Sequence, residues 1–220
     1  MDAEQNMIPI SIHVEGIDTP DKAEKWLLSQ AADVRETTFV DHEGKLMQKP
    51  VAREGAFVDP AARLIGGMII MPGCYIGPYS VIRLDEKSDP QPLIIGEKSN
   101  IQDGAIVHST CTNIGRRVII AHQAIVHGAH VEDDVTIYIQ AVADGEGTVI
   151  GAGSFLHHGS YVGKGLEIAP NSYIGPGVRV LDQNDADGLP QVPENLKGLR
   201  EDVLMDNISH CERYLSMNEK

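Results

Sequence analysis

From about residue 56 to 181, small aliphatic residues recur at every sixth position. Val58, Leu64, Ile70, Ile76 and Ile82 form one run, Ile95, Ile101 and Val107 a second, and Ile114, Ile120 and Val126 a third. Val131, Ile137 and Ala143 make a weaker fourth, and Ile150, Leu156, Val162, Ile168, Ile174 and Val180 follow unbroken. A helix repeats at 3.6 residues and a strand at two, so this period belongs to neither alone. It fits a short strand plus a turn, three of which close a triangular coil with the markers stacked inward. Glycine follows the marker at 77, 96, 115, 151, 163 and 175, where it is expected to serve the corners. The composition agrees: 22 glycines, aromatics at 5 % and one tryptophan suit a core one aliphatic wide, with no room for rings. Twenty markers correspond to six coils and part of a seventh.

This pattern resembles the hexapeptide-repeat proteins, and the resemblance implies a left-handed parallel β-helix, a mainly β fold of about 6–7 coils. Its expected extent is 53–183. Residues 1–52 read as a small α/β extension, with a helix opened by Thr19-Pro20 and carrying Ala23, Trp26, Leu27 and Gln30. A hairpin is expected around His42-Glu43-Gly44. Residues 184–220 read as a loop, Asp182 to Pro193, and then a helix that packs on the β-helix through Leu204, Ile208, Cys211 and Leu215.

Eighteen basic against 32 acidic residues give a net charge of −14, without a Lys/Arg cluster, which excludes nucleic acid and anionic membrane as partners. The first residues lack the basic and apolar regions of a signal peptide, and no apolar run approaches about 20 residues. Cys74, Cys111 and Cys211 form no CxxC pair, so reduced thiols and a cytoplasmic location are expected.

Interruptions of the six-residue spacing point to a functional face. The 82-to-95 step carries seven extra residues and the 107-to-114 step one, both at the same corner of successive coils. One position after Ile82, Val107 and Val126 stand Arg83, His108 and His127, in a column with a coil-to-coil spacing of roughly 4.8 Å. His108 and His127 can share one metal ion; His122 lies on another face, so a neighbouring subunit could supply it. That arrangement argues for a three-fold oligomer. The plain alternatives are outward surface histidines, a solvated Arg83–Asp85 pair, and a polar turn at Gln102-Asp103-Gly104. His157-His158 reads as ordinary surface, and Asp185, Asp187, Gly188 and Glu194 as an EF-hand decoy in a turn.

Arg83-Leu84-Asp85-Glu86, then Asn100-Ile101-Gln102-Asp103 through His108, then Ala121-His122 through His127-Gly128 resemble the signatures of the gamma-class carbonic anhydrases. The resemblance covers about 56–181 and implies a homotrimer, with a metal held between subunits by His108 and His127 of one and His122 of the next. It implies Zn2+, or Fe2+ or Co2+, and reversible hydration of CO2 to bicarbonate by a metal-bound hydroxide. It also implies that Gln102 orients the bound solvent, that Arg83 and Asp103 bridge subunits, that Glu86 relays protons and that Asn100 lines the pocket. One departure bears on rate: Ser109 to Asn113 replaces a long loop with an acidic proton shuttle. His130 is a candidate buffer group and Cys111 a candidate thiolate.

Three functions therefore compete. They are a carbonic anhydrase of uncertain turnover, a metal-holding trimer that has lost turnover and acts as a scaffold, and a hexapeptide-repeat acyl-CoA transferase or thioesterase. The acidic balance disfavours a coenzyme A groove.

Overall fold

The computed structural model describes residues 50–84, 92–109 and 113–218. The expected N-terminal helix and hairpin, Glu86 and Cys111 lie outside these residues.

The chain winds as a left-handed parallel β-helix of about six turns, with three walls. Wall A stacks seven strands: Phe57–Val58, Tyr75–Ile76, Asn100–Ile101, Ile119–Ile120, Thr136–Ile137, Phe155–Leu156 and Tyr173–Ile174. Wall B stacks another seven: Arg63–Ile65, Val81–Leu84, Ile106–Ser109, Ile125–His127, Val142–Asp144, Tyr161–Val162 and Arg179–Val180. Wall C runs Val51–Ala52, Met68–Ile70 and Leu93–Ile95, passes through a bridge at Ile114, and continues with His130–Val131, Val149–Ile150 and Glu167–Ile168.

Every marker of the six-residue pattern falls into one of three inward columns. Val58, Ile76, Ile101, Ile120, Ile137, Leu156 and Ile174 are successive partners on wall A. Leu64, Ile82, Val107, Val126, Ala143, Val162 and Val180 are successive partners on wall B. All but Val58 and Leu64, which lie in the first coil, are buried in one continuous core. Parallel strands buried on the inside need this in-register stacking, because a slip of one residue would turn every aliphatic outward.

The corners show how these glycines serve them. The glycines one position after the marker do not make the left-handed turn; they permit close approach of the next coil. A Cβ on Gly96 would lie 2.5 Å from the Gly115 carbonyl carbon. The left-handed turn sits two positions further on. There Tyr79, Lys98, Arg117, Gln123, Asp134, Gln140 and Asn171 have φ of +56° to +60°, and Gly55, Gly73, Gly104, Gly153, Gly159, Gly165 and Gly177 fill the equivalent places.

A short helix, α1, spans Gln183–Asp187 where a loop is expected. The Asp182 carboxylate accepts from the Asp185 N–H and supplies its N-cap. The stretch that mimics an EF-hand is thus this helix and the start of the next one. Helix α2, Glu194–Asn218, lies along wall A. Leu204 packs on Ile119 and Ala121, and Leu196 and Val192 pack on Phe155. Most of the sparse aromatics sit in this seam outside the coil: Phe57 stacks on Tyr75 and Tyr214 at 5.7 and 4.7 Å, and Tyr138 meets Phe155 at 5.6 Å. Polar ties complete it. Glu201 accepts two bonds from Arg117 Nη2 at 2.8 and 2.9 Å, and Arg200 Nη1 donates to the Asp134 carbonyl at 2.9 Å. Cys74 and Cys211 are free, buried thiols; burial pushes Cys74 up to about 12. Among the described residues no helix is long and apolar enough to cross a membrane.

Candidate functional site

Wall B carries the histidine column at the edge where it turns toward wall C. The register sets Arg83 beside His108, His108 beside His127, and His127 beside Asp144. Each follows an inward marker by one position, so its side chain points out of the coil. The rings of His108 and His127 stack with centroids 5.2 Å apart and planes 23° from parallel. That places two imidazoles side by side on one surface.

Asp144 is a residue that sequence reasoning missed. Its Oδ1 lies 2.8 Å from His127 Nδ1, and its Oδ2 accepts from the Tyr161 hydroxyl at 2.8 Å. The His127 contact first, and the Tyr161 hydroxyl after it, hold the Asp144 carboxyl below the usual carboxylate range. The same bond raises the Tyr161 phenol. The Arg179 guanidinium lies 4.2 Å over the Tyr161 ring. A signal for Asp144 exists in the sequence. The spacing shortens to five between Val126 and Val131 and lengthens to seven between Ala143 and Ile150, on either side of the His127–Asp144 rung. Both irregular steps lie at the corner between walls B and C.

His122 occupies a different edge, where wall A turns into wall B. Its Nδ1 lies 3.9 Å from Asp103 Oδ2. Both line a cleft of about 330 Å³ between this edge and α2, with Gln102, Tyr75, Tyr138 and, from the helix, Asp206, Asn207 and His210. Gln102 is nearly buried and donates through Nε2 to Asn100 Oδ1 at 2.9 Å. Asn100 Nδ2 is buried and has no hydrogen-bond partner. Asn100 therefore supports Gln102 from behind the cleft wall. Desolvation in the cleft pushes the Tyr75 phenol up to about 12.

Among the described residues of one chain, no three His, Cys, Asp or Glu converge to hold a metal. His108 and His127 come together; His122 and Asp103 come together; the two groups occupy different edges of the triangle. A divalent cation fits the first pair as two of its ligands: the imidazoles are adjacent, and the ring nitrogen that His127 turns to Asp144 leaves Nε2 for a metal. His157 and His158, read as ordinary surface, approach through their Nδ1 atoms to 2.7 Å beside Tyr138 and Phe155. Burial holds His157 below the usual imidazole range.

Comparison with known proteins finds similarity over parts of the chain. Residues 147–182 match the family described as Bacterial transferase hexapeptide (six repeats). A Methanocaldococcus jannaschii protein named "Probable carbonic anhydrase" is 39 % identical over 71 residues, 30 % of this chain and 45 % of that one. The carnitine operon protein CaiE of Escherichia coli K12 is 39 % identical over 93 residues, 39 % of this chain and 45 % of its own. The matched part thus spans less than half the length of these curated relatives. A solved Bacillus cereus structure, provisionally assigned as an acetyltransferase, superposes with a TM-score of 0.52 at 24 % identity, over 77 % of this chain and 94 % of that one, and shows the same fold. The chain is a β-helix built on a six-residue repeat, similar in part to the hexapeptide family and in part to a relative named as a carbonic anhydrase.

Proposed function

We propose that this chain hydrates CO2 reversibly to bicarbonate at a divalent metal held between copies, with His108 and His127 from one copy and His122 from the next. The observation that carries the reading is the stacked His108–His127 pair, with His127 anchored on Asp144. When bound, a Zn2+, Fe2+ or Co2+ ion lowers the pKa of a ligated water to about 7, so that a nucleophile exists at neutral pH.

The chain's own residues do the rest. Gln102 commits its Nε2 to Asn100, so its Oε1 remains to accept a hydrogen bond from solvent in the cleft and orient it. Arg83, one rung from His108, presents a cation to the bicarbonate oxyanion. Asp103 stands 3.9 Å from His122 at the edge of the cleft. Asp206 and His210 stand on its α2 side as further ionisable groups of the cleft.

The need for a second copy has a physical basis beside the histidines. On wall B the outward column next to them reads Val81, Ile106, Ile125, Val142 and Tyr161. Ile106 is 38 % exposed and the others are half-buried. Such an apolar stripe favours cover by another surface. A three-fold assembly that buries it brings the neighbour's His122 toward the pair.

Stopped-flow CO2 hydration on metal-loaded protein tests the reading. Activity that disappears in His122→Ala is expected; a metal-loaded chain no faster than buffer would leave the scaffold reading. Acyl transfer draws support from the matched repeat family. It would require cations for the phosphates of coenzyme A, yet of Lys98, Arg116 and Arg117 in the 220 Å³ cleft the two arginines are engaged, by Asp133 and by Asp134 and Glu201. Acetyl-CoA should therefore leave the melting temperature unchanged.

A further inference from the structure

We infer that Asp144, braced by Tyr161, is the positioning residue that fixes His127 as its Nδ1–H tautomer and presents Nε2 outward; the consequence for metal binding rests on the function proposed above. An ionised carboxylate can only accept hydrogen bonds, so the 2.8 Å contact places the proton on His127 Nδ1. In neutral imidazole the lone pair is then on Nε2, the atom left to meet a cation. An unheld histidine prefers the opposite tautomer and rotates about χ2.

Three features make Asp144 a support rather than a chance neighbour. Its backbone is in rung register with His127 through a parallel strand pair. The adjoining turn is locked as well: Gly145 N–H donates to the His127 carbonyl at 2.6 Å and Gly128 N–H to the His108 carbonyl at 2.8 Å. The second carboxylate oxygen is held by Tyr161, whose ring carries Arg179 on its face. The carboxylate is thus gripped at both oxygens, and only one of them is spent on the histidine. Groups that orient a metal-binding histidine in this way change metal affinity by about 10–100-fold when removed.

The experiment uses the full-length chain, wild type and with Asp144→Ala, Asp144→Glu and Tyr161→Phe. Long-range 1H–15N correlation spectra of the metal-free protein read the tautomer of His127, and titration with Zn2+ reads affinity. The wild type should show Nδ1–H. Asp144→Ala should shift His127 toward Nε2–H and weaken Zn2+ binding about 10–100-fold. Tyr161→Phe should keep the tautomer with a smaller loss, and Asp144→Glu should recover part of it. Wild-type His127 in the Nε2–H form, or an unchanged tautomer in Asp144→Ala with the fold intact, overturns the assignment. A wild-type Nδ1–H signal in a chain that takes up no Zn2+ upholds the positioning and overturns the metal centre instead.

Discussion

At the scale of single residues, the corner turns show where the chain carries strain. Among the described residues, seven non-glycine residues hold a left-handed φ, which costs roughly 1–2 kcal/mol for an L-residue. Tyr79 is 76 % exposed at such a position, so replacing it relieves strain and removes little packing. Tyr79→Gly should raise stability by about 0.5–1 kcal/mol in urea unfolding, after the added freedom of glycine in the unfolded chain. Gly104→Ala, at φ +67°, should lower it by about 1 kcal/mol. Two carboxyls set an acid limit. Asp133 is held below its usual range by the Arg116 backbone N–H and then by the Arg116 guanidinium, and Asp144 by His127 and Tyr161. Both titrate lower folded than unfolded, so their contribution is present above the unfolded carboxyl value of about 3.9 and lost as pH falls through the folded values. The melting temperature should drop below about pH 4, and Asp133→Asn should make that drop shallower.

At the scale of elements, α2 covers wall A, whose outward side carries the rings of Phe57, Tyr75 and Phe155 together with Ile119. Leu204, fully buried between helix and wall, is the test position. Leu204→Ala should cost about 2–5 kcal/mol in urea unfolding. It should also loosen the cleft that Val203, Asp206, Asn207 and His210 help to line. The apolar spacing of Leu204, Ile208, Cys211 and Leu215 was readable as an amphipathic stripe. Which wall would receive it was not, since wall A becomes recognisable only when its outward residues are seen stacked. α1 escaped notice for a local reason: Asp182 caps five residues whose side chains alone read as turn.

At the scale of the molecule, the described residues hold two groups, His108–His127 and His122–Asp103, on separate edges. Ile106→Glu places a charge on the apolar stripe of wall B without touching the inward columns. It should leave the coil folded, reduce the assembled mass seen by light scattering, and abolish metal uptake with it. The six-residue spacing alone determined the coil, its three walls and the inward identity of all twenty markers, because a parallel β-helix permits one register for a buried column. It also determined that Arg83, His108 and His127 share a column, since they follow their markers by the same step. How the corner glycines act was not legible, because a missing Cβ serves both a left-handed turn and a close contact, and spacing does not distinguish them. Only the tertiary structure decided that Asp144 meets His127 and that α2 closes the cleft over His122. Those contacts depend on where a corner places its extra residue and where a distant helix comes to rest. Neither is encoded in a local period.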